Sequence, residues 1–88
     1  LWSFWRSSKF KKRFRKIDST LNERAINAII ELEQSENPLS LGVQKHGPLH
    51  DYWTFELGRE CRILYNIDAD KRIINLHRIC SHKEAYPD

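Results

Sequence analysis

The sequence predicts an α+β fold: an N-terminal strand, an αα-hairpin and a three-stranded antiparallel meander, with the helices packed on one face of a twisted sheet. Three observations carry this. Apolar residues in the first half recur at helical spacing, those in the second half alternate at strand spacing, and a run of strands beside a helical pair leaves one sheet face for the helices to cover. With 88 residues, 40% of them apolar and 31% charged, the chain has the composition of one small folded domain, 1–88.

Residues 1–5 (LWSFW) lack helix formers and are predicted as the first strand. Ser7 or Ser8 then caps a helix whose Phe10, Phe14 and Ile17 form one stripe on a basic cylinder. Asp18, Ser19 and Thr20 break it. Thr20 and Glu23 have the spacing of a capping box for a second helix, with Leu21, Ala25, Ala28, Ile29 and Leu32 facing the core. Pro38 and the polar residues before it end that helix. Residues 37–51 hold two of the three prolines and two of the three glycines, so they read as a long loop, a length often kept for function. Trp53, Phe55 and Leu57 alternate with Tyr52, Thr54 and Glu56 as the second strand. Cys61, Ile63, Tyr65 and Ile67 do so as the third, and residues 72–80 form the fourth. Ser81 and Glu84 suggest a capped terminal turn. Arg62 lies opposite Cys61 and Ile63 in the alternation, and is expected on the uncovered face. Of His77 and Arg78, one should face the helices and one the open face, a buried and hydrogen-bonded His77 being the expectation.

Charge is distributed unevenly. Residues 6–16 carry seven Lys or Arg and no acid, whereas residues 17–88 are net −4. Such a block suits a polyanion or an acidic partner, and equally the solvated face of a helix. No stretch has the length and apolarity of a membrane span, and no signal peptide is visible, so a cytoplasmic protein is expected. The two cysteines lack zinc-ribbon spacing and read as reduced thiols. Gly47 and Pro48 keep His46 and His50 from helical i, i+4 ligation, so no metal and no cofactor is expected.

The ordered set of Phe10, Phe14 and Lys16, then Asn37-Pro38-Leu39-Ser40, then Tyr52-Trp53, Phe55-Glu56-Leu57, Arg62-Ile63-Leu64-Tyr65 and residues 80–86 (CSHKEAY) resembles the RelE/ParE superfamily of type II toxins. The resemblance implies a cognate antitoxin. In RelE- and YafQ-like members it implies a ribosome-dependent mRNA endoribonuclease, with ribosome and message as partners. In ParE-like members it implies a poison of DNA gyrase. An inactive binding module of the same fold is the third reading. Where RelE carries strand lysines this chain has Thr54 and Glu56, while the arginine matches Arg62 and the C-terminal tyrosine Tyr86; the His-x-x-x-aromatic ending of YafQ-like nucleases matches His82 and Tyr86.

Cleaving RNA requires a base for the 2′-OH, an acid for the 5′-oxygen and a cation for the phosphate. The expected roles are His82 as acid, Arg62 as phosphate clamp and Tyr86 as stacker, with His50 or His46 as base. Lys45, His46, Arg59, Arg78, Lys83 and the helical Lys11, Lys12 and Arg15 are the expected RNA contacts. Without the resemblance, the residues have blander readings. His82 and Tyr86 would be a packing pair, Arg62 an ion-pair partner of Glu56 or Glu60, and the loop histidines merely solvated.

Overall fold

The computed structural model describes residues 1–58 and 60–80. It contains β1 (Ser3–Arg6), α1 (Ser8–Phe14), α2 (Ser19–Gln34), β2 (Val43–Gln44), β3 (Trp53–Glu56), β4 (Arg62–Asp68) and β5 (Ile73–Ile79). The strands form one sheet in the order β1-β5-β4-β3-β2, with β1 parallel to β5 and every other pair antiparallel. The α+β architecture is as expected.

Ser7 caps α1 through Oγ, which accepts from the Phe10 N–H at 3.0 Å and donates to the His77 carbonyl at 2.6 Å, tying the helix start to β5. The cap of α2 is Asp18 rather than the expected Thr20: Asp18 Oδ1 accepts from the Leu21 N–H at 2.8 Å, and Thr20 already lies inside the helix. The apolar stripes meet the sheet as the periodicity requires. Phe10, Ala25, Ala28 and Leu32 pack with Ile63, Tyr65, Ile74, Leu76 and Ile79 in one buried cluster. At about 25 cal/mol per Å² of apolar surface removed from water, this shared burial is the main force holding helices to sheet. The Tyr65 hydroxyl, buried with its ring, donates to the Pro38 carbonyl at 2.8 Å and anchors the chain leaving α2.

The expected loop 37–51 is more ordered than its composition suggests. It contains two 3₁₀ turns, Pro38–Leu41 and Gly47–Leu49, and between them β2, which pairs Val43 with Thr54 and Gln44 with Trp53. The sheet therefore gains a fifth, edge strand. Gly42 is required here because a Cβ would meet the Tyr65 hydroxyl and the Thr54 carbonyl.

The pairing of β4 with β5 carries a bulge. Leu64 pairs with Arg78 but Tyr65 with Leu76, so His77 is the extra residue. The expected division of His77 and Arg78 between the two faces is thereby corrected. The inserted residue shifts the alternation, Ile79 returns to the core, and both His77 and Arg78 belong to the open face. His77 is hydrogen-bonded, as expected, but half-buried rather than buried.

The expectation of free thiols is also corrected: Cys61 and Cys80 form a disulfide. The hairpin register that opposes Ile63 to Ile79 brings the residue before β4 beside the residue after β5, and the Cys80 N–H donates to the Arg62 carbonyl at 3.0 Å. No helix of the described residues is long and apolar enough to cross a membrane.

Candidate functional site

The face of the sheet turned away from the helices holds a cavity of about 350 Å³ at its β2-β3-β4 edge, lined by Val43, Gln44, Lys45, His46, Thr54, Glu56 and Arg62. Its geometry follows from register. Glu56 ends β3 directly opposite Arg62, which begins β4, and strand alternation puts both side chains on the open face. Arg62 Nη2 lies 3.4 Å from Glu56 Oε2, with the two side chains 49% and 67% exposed. Thr54, two residues before Glu56, points to the same face and its Oγ1 donates to the Val43 carbonyl at 3.4 Å, which holds β2 as the cavity wall. Lys45 and His46 follow β2 and complete the rim. A guanidinium, an ammonium and an imidazole thus converge on one solvated concavity beside a single carboxylate. Such a set can clamp a phosphate and exchange a proton with it.

The expected residues divide three ways. Arg62, Lys45 and His46 share this cavity. His50 does not line it: its Nδ1–H donates to the Gly47 carbonyl at 3.0 Å, its Nε2 lies 3.3 Å from Asp51 Oδ1, and its carbonyl accepts from Gln44 Nε2 at 2.7 Å. These contacts brace the loop. Lys11, Lys12 and Arg15 are exposed on and beside α1, on the helical side of the sheet, away from the cavity. Arg78 sits inward from Arg62 on the open face, half-buried, its Nη1 donating to the His77 carbonyl at 2.9 Å. Arg59, His82, Lys83 and Tyr86 lie outside the described residues. The segment that carries His82 and Tyr86 follows Cys80, the residue bonded to the Arg62 carbonyl.

Glu56 also lines this cavity, and its sequence position alone marked it only as a possible partner of Arg62. The signal was present in the alternation, since Thr54 and Glu56 take the face opposite Trp53 and Phe55, the same face as Arg62 one hairpin later.

Further along the open face, His77 Nε2–H donates to Asn66 Oδ1 at 3.0 Å, and Asn75 Nδ2 donates to the same oxygen at 3.1 Å. Burial, and then the neighbouring Arg78, hold the His77 pKa below its ordinary value, so the ring is neutral at pH 7.

The sequence pattern of the ParE toxin of type II toxin-antitoxin system, parDE, matches residues 6–86. No curated protein matches the chain. Among solved structures, the fold is similar to a YoeB/ParE toxin from Agrobacterium tumefaciens, with TM-score 0.78 and 15% identity over 91% of this chain and 98% of that one. It is similar to the intact Escherichia coli RelBE toxin-antitoxin complex, with TM-score 0.75 and 15% identity over 94% and 99% of the two chains. A YoeB-YefM complex from Staphylococcus aureus gives TM-score 0.75 and 12% identity over 93% and 98%. At these identities the structures speak for the fold, whereas the sequence pattern spans nearly the whole chain. The chain belongs to the ParE toxin family of type II toxin-antitoxin systems.

Proposed function

We propose that this toxin is a ribosome-dependent mRNA endoribonuclease that acts in the cytoplasm and is held inactive by a cognate antitoxin. The observation that supports this most is the cavity on the open sheet face, where Arg62 and Glu56 oppose each other with Lys45 and His46 on the rim. A gyrase poison needs a complementary surface but no proton acceptor beside a phosphate-sized cation.

In this reading the scissile phosphate lies against Arg62, whose fork of N–H donors stabilises the charge that develops on the non-bridging oxygens. Glu56 takes the proton of the 2′-hydroxyl, the 2′-oxygen attacks phosphorus, and the bond from phosphorus to the 5′-oxygen breaks. His82 gives its proton to that leaving oxygen. The products are a 2′,3′-cyclic phosphate and a 5′-hydroxyl. Tyr86 stacks on a neighbouring base, Lys45 and His46 hold flanking phosphates, and the exposed cations of α1 meet ribosomal RNA or an acidic antitoxin segment. Glu56 replaces His50 as base because His50 is engaged with Gly47 and Asp51 outside the cavity. An antitoxin segment that folds on binding would inhibit by covering Arg62.

Induced expression with pulse labelling of protein and DNA synthesis tests this. The nuclease reading expects immediate arrest of translation with DNA synthesis continuing at first. Arrest of DNA synthesis with translation intact would select the gyrase reading.

A further inference from the structure

The open face carries a second concavity that the proposed reaction does not use. It has a volume of about 340 Å³, lies at the β1-β5-β4 side of the sheet, and is lined by Trp5, Asp68, Lys71, Ile73, Asn75 and His77. Its floor is built from rings held in place. Trp5 packs edge-on against His77 with centroids 5.6 Å apart, and Tyr52, outside the lining, also packs edge-on against His77 at 5.1 Å. Asn66 Oδ1 accepts from the His77 ring and from Asn75 Nδ2, which fixes the ring. Trp5 is nevertheless 49% exposed, whereas Trp2 is buried and Trp53 belongs to the helix-facing side. A large aromatic surface left open in a chain this small costs apolar burial, and here it is bordered by amide, carboxylate and ammonium groups.

This concavity and the Arg62 cavity lie on the same face of the sheet. Arg62, Leu64 and Asn66 alternate onto the same face of β4, Asn66 about 13 Å along the strand from Arg62, and Trp5 lies level with Asn66 through Asn75, two strands or about 10 Å across the sheet. The diagonal of about 16 Å is roughly five nucleotides at a stacked rise of about 3.4 Å, and fewer in an extended strand. Between them stands Arg78, on the same face.

We infer that the concavity over Trp5 and His77 is a binding pocket for an unpaired RNA base, which stacks on the Trp5 indole a few nucleotides along the strand from the phosphate held by Arg62. Asn75 and Asp68 offer polar groups to the base edge, and Lys71 faces the adjoining phosphate. The face thereby combines aromatic rings with a cation at each end, as surfaces that grip single strands do. The inference rests on the nuclease reading and adds the part of the substrate that this half of the sheet recognises.

The test uses a fluorescently labelled single-stranded RNA octamer, its anisotropy titrated with the full chain and the indole emission followed in parallel. Trp5→Ala should weaken binding about 5- to 150-fold. Trp5→Phe should restore affinity to within a few-fold while abolishing the quenching of indole emission. Lys71→Glu, at an exposed turn position, should weaken binding without altering the unfolding midpoint. If Trp5→Ala and Lys71→Glu bind the octamer as tightly as the parent while the parent cleaves message, the pocket is refuted and the nuclease reading stands. If the parent neither binds the octamer nor cleaves message, both fall.

Discussion

Arg62→Ala separates a structural ion pair from a phosphate clamp, because the two roles differ widely in magnitude. The pair with Glu56 spans 3.4 Å between side chains that are about half or more exposed. Exposed pairs of this kind contribute roughly 0–1 kcal/mol to folding. In a chain of 88 residues that corresponds to a fall in Tm of no more than about 8 °C. Removing a donor aimed at transition-state charge costs far more, on the order of 10²- to 10³-fold in rate. Single-turnover cleavage of ribosome-bound message by parent and Arg62→Ala, with thermal unfolding of both, therefore gives a clear division. The expected result is a loss of 100-fold or more in rate, on the order of the clamp's contribution, with the fold intact. Glu56→Gln, which keeps the side chain's size but removes the proton acceptor, should lose roughly 10²- to 10⁴-fold. The double variant should lose less than the product of the two, because both groups act on one step. Cleavage at the parental rate by Arg62→Ala would refute the clamp, and a large loss of stability without loss of rate would make Arg62 structural.

The other predictions concern the acid, the core and the disulfide. His82→Gln should slow cleavage roughly 10²- to 10⁴-fold and remove any inflection of the rate near pH 6–7, read by single-turnover rates across pH. Tyr65→Phe leaves the buried Pro38 carbonyl without its donor and should cost about 1–3 kcal/mol in urea unfolding. Burial pushes the Tyr65 phenol up to about 12, above its unfolded value of 10.0, so the stability it contributes is full below pH 10 and lost as pH rises through 12; Tyr65→Phe should lack that part of the alkaline loss. Opening the Cys61–Cys80 link, which closes a loop with a sequence separation of 19, should cost about 3 kcal/mol, measured by urea unfolding with and without reductant, and a variant with both cysteines changed to Ser should be insensitive to reductant.

Elements whose signals are local were legible in the sequence. Phe10, Ala25 and Leu32 mark their helix faces, and Ile63, Tyr65 and Leu76 their strands, because burial against one sheet face imposes a period on each. What escaped reading depends on how distant segments register. The bulge at His77 has no composition cue, yet it decides that both His77 and Arg78 face outward. The two residues of β2 are too few to show alternation and exist because β3 offers an unpaired edge. The disulfide follows from the pairing of β4 with β5, which brings Cys61 beside Cys80, a fact invisible in their spacing. Among the candidate site residues, Arg62 was placed by alternation alone. The exclusion of His50 from the cavity depends on the 3₁₀ turn at Gly47, where a positive φ turns the chain back.

The claim that this toxin cuts message is tested most directly by incubating the purified protein with translating ribosomes and mapping the RNA ends. The account predicts new message ends that carry a 2′,3′-cyclic phosphate on one side and a 5′-hydroxyl on the other, absent with Arg62→Ala. Message left intact by the parent protein, under conditions in which it arrests DNA synthesis, would contradict it.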